Sequence, residues 1–314
     1  MIKWIKKGVI FTVGKNTKHD WMLTHAQIPV VDILDNDKLR IYFGTRDSNN
    51  RTSTTYIEVE ADNPSNILYI HDKPVLSPGM LGTFDDCGAM PSCIVHHNGK
   101  AYQYYIGWNV STTVRYRNSI GLAVSHDKGK TFSRVFEGPV MDRTNIEPFF
   151  VVTPYIIIED GIWKMWYCGC TSWHIINGMT EPQYQIKYAE SKDGVHWVRN
   201  NIACIEYKFD GESNARPCVL KKNGLYRMWY CFRGIAGYRL DKEQSYRIGY
   251  AESNDGIKWI RKDEEVGIDR SEEGWDSEMM AYPYVYEYKG FKYMLYNGNG
   301  FGKSGFGYAV SASE

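Results

Sequence analysis

The sequence predicts an all-β chain folded as a five-bladed β-propeller, with four-stranded antiparallel blades, and three observations predict it. Tyr188-Ala189-Glu190-Ser191-Lys192-Asp193-Gly194-Val195-His196-Trp197 returns as Tyr250-Ala251-Glu252-Ser253-Asn254-Asp255-Gly256-Ile257-Lys258-Trp259. A weaker copy runs from Leu122 to Phe132, and a truncated one starts at Tyr308. Self-similarity at a fixed spacing is the mark of a repeat architecture. Apolar runs led by Pro29, Pro91, Pro154, Pro217 and Pro283 supply five unit starts. No window carries a helical period, so almost no α-helix is expected.

Within each unit four strands follow in order. The proline-led run is the first, as in Pro154-Tyr155-Ile156-Ile157-Ile158. Polar turns follow it, at Asp35-Asn36-Asp37, His97-Asn98-Gly99, Glu159-Asp160-Gly161, Lys222-Asn223-Gly224 and Tyr288-Lys289-Gly290. Such Asn, Asp and Gly turns between apolar runs signal hairpins. Second strands alternate strongly, as in Trp163-Lys164-Met165-Trp166-Tyr167 and Tyr226-Arg227-Met228-Trp229-Tyr230. The recurring motif is the third strand, and its Asp-Gly or Lys-Gly turn leads to a fourth around Phe132, Trp197 or Trp259. Unit five stops after its third strand. Ile2-Lys3-Trp4-Ile5-Lys6-Lys7 resembles Ile257-Lys258-Trp259-Ile260-Arg261-Lys262, so the N-terminal segment is expected to complete the last blade and cover its open edge. A single domain over 1–314 follows.

Composition narrows the function classes. The 314 residues hold 37 basic and 37 acidic side chains, which argues against a nucleic-acid or anionic-membrane partner. Aromatic residues make up 15%, a load that suits strand faces and sugar-stacking surfaces alike. No apolar run reaches the roughly 18 residues that span a bilayer, and the N-terminus lacks a signal-peptide pattern. Seven cysteines, mostly within strand-like runs, read as buried thiols rather than a disulfide framework, and Cys168-Gly169-Cys170 has the wrong spacing for a metal pair. A cytoplasmic protein without metal or organic cofactor is expected.

In a four-strand meander the start of the first strand, the end of the second and the start of the third share one rim. The segments before the prolines and after the second strands therefore converge on one mouth. Asp86, Glu212 and Glu278 each stand five residues ahead of a proline, while the third unit offers Glu147 and the first offers Thr24 with His25, Gln27 and, further back, Asp20. After the second strands come Arg46 and Asp47, Trp108, Trp173 and His174, Arg233, and Asn299. Carboxylates, arginines and tryptophans on one concave surface suit a sugar site, in which rings stack, Arg and Asn hold hydroxyls and carboxylates do acid–base work. Asp86, Glu212, Glu147 and Glu278 are the candidate catalytic residues. His25, Arg46, Asp47, Trp108, Trp173, Arg216, Arg233 and Asn299 are candidates for holding substrate. Each acidic residue has a bland reading as an ion-pair partner or turn cap. Trp108 and Trp173 read equally as packing. Trp166, Trp197, Trp229 and Trp259 recur with the strands and read as core, and Asp193 and Asp255 as turn residues.

With these repeats, the Tyr-Ala-x-Ser-x-Asp-Gly-x-x-Trp motif and the acidic residues ahead of the inner strands, the whole chain resembles the five-bladed propeller glycosidases. That superfamily holds arabinanases, β-xylosidases, invertases and mannoside phosphorylases. Within it the chain looks most like glycosidase-like proteins of bacterial polysaccharide clusters and the propeller attached to some glucosaminyl transferases. The resemblance implies three catalytic carboxylates on inner strands: Asp86 as base or nucleophile, Glu212 as general acid, and Glu147 or Glu278 as the tuning carboxylate. The family's Asp on the first inner strand is replaced here by Thr24-His25-Ala26-Gln27, so the set is displaced by a blade, or Asp47 or Asp20 reaches in, or hydrolysis is lost. The leading expectation is a glycoside hydrolase. The alternatives are a non-catalytic propeller binding a glycan or nucleotide sugar, and a phosphorylase whose phosphate is held by Arg46, Arg51, Arg216 and Arg233.

Overall fold

The structure is a computed structural model and describes residues 2–14, 17, 19–35 and 37–312. Asn36 of the first expected turn, and Ser313 at the end of the truncated motif, lie outside the described residues. The chain is all-β in antiparallel sheets, and among the described residues the helical elements are one short helix at Asn299–Gly302 and a 3₁₀ turn at Asp263–Glu265.

Repeat one forms β2 (Thr24–Leu34), β3 (Lys38–Arg46), β4 (Thr52–Glu60) and β5 (Ile67–Ile70). Repeat two forms β6 (Gly88–His97), β7 (Lys100–Val110), β8 (Tyr116–Ser125) and β9 (Ser133–Arg134). These two runs make one eight-stranded sheet, joined only by the parallel pair Thr52 and Gly88. Repeat three is β10 (Val151–Glu159), β11 (Ile162–Ile176), β12 (Met179–Ser191) and β13 (Trp197–Ala203). Repeat four is β14 (Glu212–Lys222), β15 (Leu225–Gly234), β16 (Arg247–Ser253) and β17 (Ile260–Arg261). In repeat five β18 (Ala281–Tyr288), β19 (Phe291–Asn297) and β20 (Phe306–Ala312) are joined by β1 (Ile5–Phe11), which pairs antiparallel with β20. The pairing segment thus starts and ends later than the expected Ile2–Lys7. The β11–β12 hairpin is also longer than its repeat-mates, running on through Trp173 and His174.

The motif does its work at the turn after the third strand. Ser191 Oγ accepts the amides of Asp193 and Gly194, and Asp193 Oδ1 accepts those of Val195 and His196. Ser253 and Asp255 repeat the set. The turn pins a glycine at positive φ, with its carbonyl aimed at the preceding repeat. Tyr42 donates to the Gly129 carbonyl at 2.7 Å, Tyr104 to Gly194 at 2.6 Å, and Trp166 Nε1 to Gly256 at 2.7 Å. One ring from the second strand of each of repeats one to three is thereby bolted to the next repeat. β1 and β20 pair without such a turn, and the indole nitrogens of Trp229 and Trp4 have no partner. Edge-to-face packing of these two rings, 6.3 Å apart, takes the place of the bond.

A second recurring contact ties each meander to itself. Asp85 accepts from Tyr105 and Arg134, Glu147 from Tyr167 and Lys187 with Arg199 beside it, and Asp276 from Tyr296 and Lys6. An acid ahead of the first strand, a tyrosine on the second and a base on or near the fourth form a buried strut. Repeat four divides the duty: Glu212 takes Arg261 at 2.6 and 2.9 Å, and Tyr230 goes to Asp263. Repeat one has an apolar version, with buried Met22 and with Phe43 packed on Phe11. Among the described residues no helix is long and apolar enough to cross a membrane.

Two stability changes follow. Tyr104→Phe leaves the buried Gly194 carbonyl unpaired and costs about 1–3 kcal/mol. Gly194→Ala puts a Cβ 2.7 Å from the Tyr104 hydroxyl at φ 75° and costs a comparable amount, about 1–3 kcal/mol. Chemical denaturation checks both. On another part of the chain, the imidazole of His96 bonds Asp32 at 2.6 Å, which raises its pKa above 6.5 against an opposing burial effect. A raised histidine pKa stabilises below the unfolded value, and that contribution is lost as pH rises through the folded one. His96→Gln is therefore expected to flatten the melting temperature between pH 6 and 8, read by scanning calorimetry.

Candidate functional site

The first strands create the site through their bulges. Pairing slips by a residue at or beside each proline: near Pro29, between Pro91 and Cys93, and around Pro154, Pro217 and Pro283. Bulges re-aim side chains. Ile28, Thr153, Arg216 and Tyr282, each ahead of its proline, take φ between 49° and 57°. These are uncommon angles, costly for the β-branched pair, and they persist only where surrounding structure imposes them.

The result is a cavity of about 490 Å³ to which every repeat contributes. Repeat one gives His25, Gln27, Ile28 and Arg46; repeat two gives Met90, Trp108, Arg115 and Tyr116. Repeat three adds Phe150, Thr153 and Tyr184, repeat four Tyr238, Arg239 and Tyr246, and repeat five Tyr282 and Phe301. The segments before the prolines and after the second strands thus meet at one mouth. Among the described residues lining it there is no carboxylate.

Three guanidinium groups stand in this wall. Arg46 donates to Gln27 Oε1 at 3.0 Å and has no carboxylate partner. Burial pulls it below the usual guanidinium range; the Tyr282 phenol opposes this and the neighbouring Arg239 charge adds to it. Arg239 and Arg115 are held from behind by Glu181, at 3.0 and 3.5 Å. Burial disfavours the Glu181 carboxylate, but bonds from Arg239 and Tyr238 outweigh it and keep its pKa low. His25 is driven down to about 4 by burial and then by Arg46 and Lys303, so its imidazole is neutral at pH 7. Aromatic rings share the wall with them: Tyr246 packs on Tyr282 and Phe301, Arg239 lies 5.3 Å from the Phe301 ring centre, and Tyr116 packs on Phe150. Neutral faces with fixed cations suit a sugar that carries, or meets, an anion.

Of the candidates for holding substrate, His25, Arg46 and Trp108 line the cavity. Trp108 donates to Thr52 Oγ1 at 3.2 Å, and Trp173 stands one layer back, edge-on to Tyr116 and Phe150. Arg233 is buried beneath the aromatic wall, 3.7 Å from the Tyr238 ring centre, with its donors on Tyr184 and the carbonyls of Gly234 and Pro182. Arg216 is fully buried and is not part of the lining. Asp47 caps its own turn and pairs with Arg51, and Asn299 accepts the amides of Glu278 and Met279.

The structure does not bring the four acidic candidates together around the cavity. Glu147 and Glu212 are buried in the struts with their oxygens already engaged. Glu278 is exposed. Asp86 is half-buried: Oδ2 accepts the Gly82 amide at 2.9 Å and Oδ1 has no partner. Its neighbour Cys87 bonds the carbonyl of Trp108 at the cavity wall. Counting back from the prolines aligns Asp86, Glu212 and Glu278, whereas the fold gives equivalent places to Asp85, Glu147 and Asp276, each paired with a tyrosine twenty positions on. Chain lengths between acid and proline differ from repeat to repeat, so proline register and spatial register part company.

Arg115, Tyr116, Tyr184, Tyr238, Arg239 and Tyr246 escaped the sequence reading. Their signal is faint: Arg115-Tyr116 and Tyr238-Arg239 are adjacent ring–guanidinium pairs in the segments leading to third strands. Among the described residues no group of three or more His, Cys, Asp or Glu is placed to hold a metal.

The chain is 39% identical over 308 residues to the uncharacterized protein MT1551 of Mycobacterium tuberculosis, covering 98% of each. It belongs to the family of that protein. No family model matches the sequence. A 1,2-beta-oligomannan phosphorylase of Thermoanaerobacter sp. shares 27% identity with this family member over 162 residues, 51% of each chain. Among solved structures, a glycosyl hydrolase from Bacteroides ovatus superposes with TM-score 0.71 at 15% identity, covering 99% of this chain and 93% of that one. A thermostable family-43 glycoside hydrolase gives 0.64 at 18%, covering 94% and 90%. The resemblance to glycosidase propellers read from the repeats is thus found again in the fold.

Glu147→Gln leaves Lys187 and Arg199 buried beside a neutral amide and is expected to cost about 3–5 kcal/mol of stability, measured by urea denaturation.

Proposed function

We propose that the chain is a carbohydrate-active enzyme of the glycosidase type, one five-bladed propeller across 1–314, that cleaves a glycosidic bond with phosphate in its central cavity. Closure is supported by the first strands: β2, β6, β10, β14 and β18 each touch the next, and β18 touches β2. The reading is carried by charge, since Arg46, Arg115 and Arg239 line an aromatic cavity that no described carboxylate enters. Hydrolysis by paired carboxyl groups needs both to flank the scissile bond. Phosphorolysis needs one proton donor and cations, because phosphate itself brings the attacking oxygen. Asp86, which lies outside the cavity lining next to Cys87, whose amide bonds the Trp108 carbonyl, is the donor in this scheme and turns inward to serve. Its carboxyl proton passes to the leaving sugar oxygen while a phosphate oxygen bonds C1, giving a sugar 1-phosphate and a shortened glycan. The half-length likeness to an oligomannan phosphorylase supports the same chemistry.

A second reading, hydrolysis with Asp86, Glu147, Glu212 and Glu278 in catalytic roles, is favoured by the fold shared with glycoside hydrolases. A reducing, cytoplasmic setting is supported by the free thiols of all seven cysteines.

The test is turnover of a panel of oligosaccharides with and without phosphate. Sugar 1-phosphate is expected only with phosphate, lost in Asp86→Asn, with the KM for phosphate raised about tenfold or more in Arg46→Met. Free sugar released without phosphate would establish hydrolysis instead, and binding without turnover in either buffer would leave a glycan-binding propeller.

A further inference from the structure

The second and third strands of repeat three, β11 and β12, run to 15 and 13 residues, where their counterparts in the other repeats have 7 to 11. The added length pairs Trp173 with Pro182, His174 with Glu181 and Ile175 with Thr180. Its residues reach both neighbouring repeats. Thr180 Oγ1 accepts the Arg115 amide at 3.1 Å, and Trp173 packs edge-on to Tyr116 and Phe150. On the other side the Pro182 carbonyl accepts from Arg233, whose guanidinium backs the Tyr238 ring.

Glu181, buried on β12, divides its carboxylate between these two sides. Oε1 lies 3.0 Å from Nε of Arg239 and 3.5 Å from Nη1 of Arg115. Oε2 accepts from Nη2 of Arg239 at 3.2 Å and from the Tyr238 hydroxyl at 2.7 Å. Arg115 and Arg239 belong to repeats two and four, and their side chains are 34% and 31% exposed. Both line the cavity with Arg46, which feels the charge of Arg239. Like charges on long side chains repel, and each of these could turn out into water. One carboxylate behind two of them keeps the guanidinium groups side by side. It takes the Nε–Nη2 edge of Arg239, so Nη1 lies on the side away from Glu181. The carboxylate also weakens the pull of the two cations on an anion, but in a site open to water that loss is screened. Ordering both side chains before an anion arrives spares the larger loss of ordering them at binding.

We infer that Glu181 is a positioning residue that sets Arg115 and Arg239 as one seat for phosphate, an identity of the anion that rests on the phosphorolysis reading. The extended hairpin of repeat three is the element that carries Glu181 to the seat.

The test is isothermal titration of the intact protein with inorganic phosphate, beside turnover of the oligosaccharide panel. Glu181→Gln lets the arginines repel, and Glu181→Asp keeps the charge but draws the carboxylate back by one methylene. Each is expected to raise the Kd for phosphate about tenfold, and the KM for phosphate with it, while the KM for glycan stays unchanged. A residue that only supported the fold would lower the number of sites per chain and leave the Kd in place. A Kd unchanged or lowered in either variant overturns the inference, and one lowered in Glu181→Gln would mark Glu181 as a charge screen. Phosphate bound in this Glu181-dependent way without any sugar 1-phosphate upholds the seat and overturns phosphorolysis. Phosphate neither bound nor used by the wild type overturns both.

Discussion

The rest of the structure depends on one hydrogen bond made three times: an aromatic ring on a second strand donating to the glycine carbonyl of the next repeat's turn. A four-stranded meander has two apolar faces and cannot cover either alone, so each repeat needs its neighbour. Packing of rings is tolerant in direction. A buried hydroxyl or indole that must reach one carbonyl is not, and it sets how each repeat is turned against the next. The Ser-x-Asp-Gly turn exists to hold that carbonyl still, which is why its serine and aspartate spend their oxygens on local amides.

Once the repeats are fixed in this way, bulges at the prolines decide what faces the cavity. The acid–tyrosine–base struts keep most of the buried carboxylates at a distance from it. Negative charge is consumed in holding meanders together, and positive charge is left over at the centre. A chain with no net charge thus acquires a cationic cavity by placement alone.

Much of the scaffold was legible because it repeats. The strand order, the turn role of Asp193 and Asp255, the core role of Trp166 and Trp229, and the pairing of an N-terminal segment with the last motif can all be read from spacing. The site was legible only in part. His25, Arg46 and Trp108 were found because they lie at predictable rims. The remaining tyrosines and arginines of the lining come from segments that share no register, and their meeting is a contact between repeats that no single-repeat pattern encodes. Glu147 and Glu212 drew attention as acids near the mouth. What distinguishes them is a basic partner on a distant strand, Arg199 or Arg261, that is invisible until the sheet is folded.

The pairing of β1 with β20 also has a kinetic side. Lys6 and Asp276, joined at 2.7 Å, are 270 positions apart, so nearly the whole chain must be ordered before the contact is entropically cheap. The neighbouring Trp4–Trp229 contact lacks the directional bond found at the other seams. The last sheet is therefore expected to assemble late, and until then the free side of β20 offers an incomplete edge that another chain's strand could take. For this fold, the time between finishing repeat four and seating β1 is the interval of greatest exposure to misassembly.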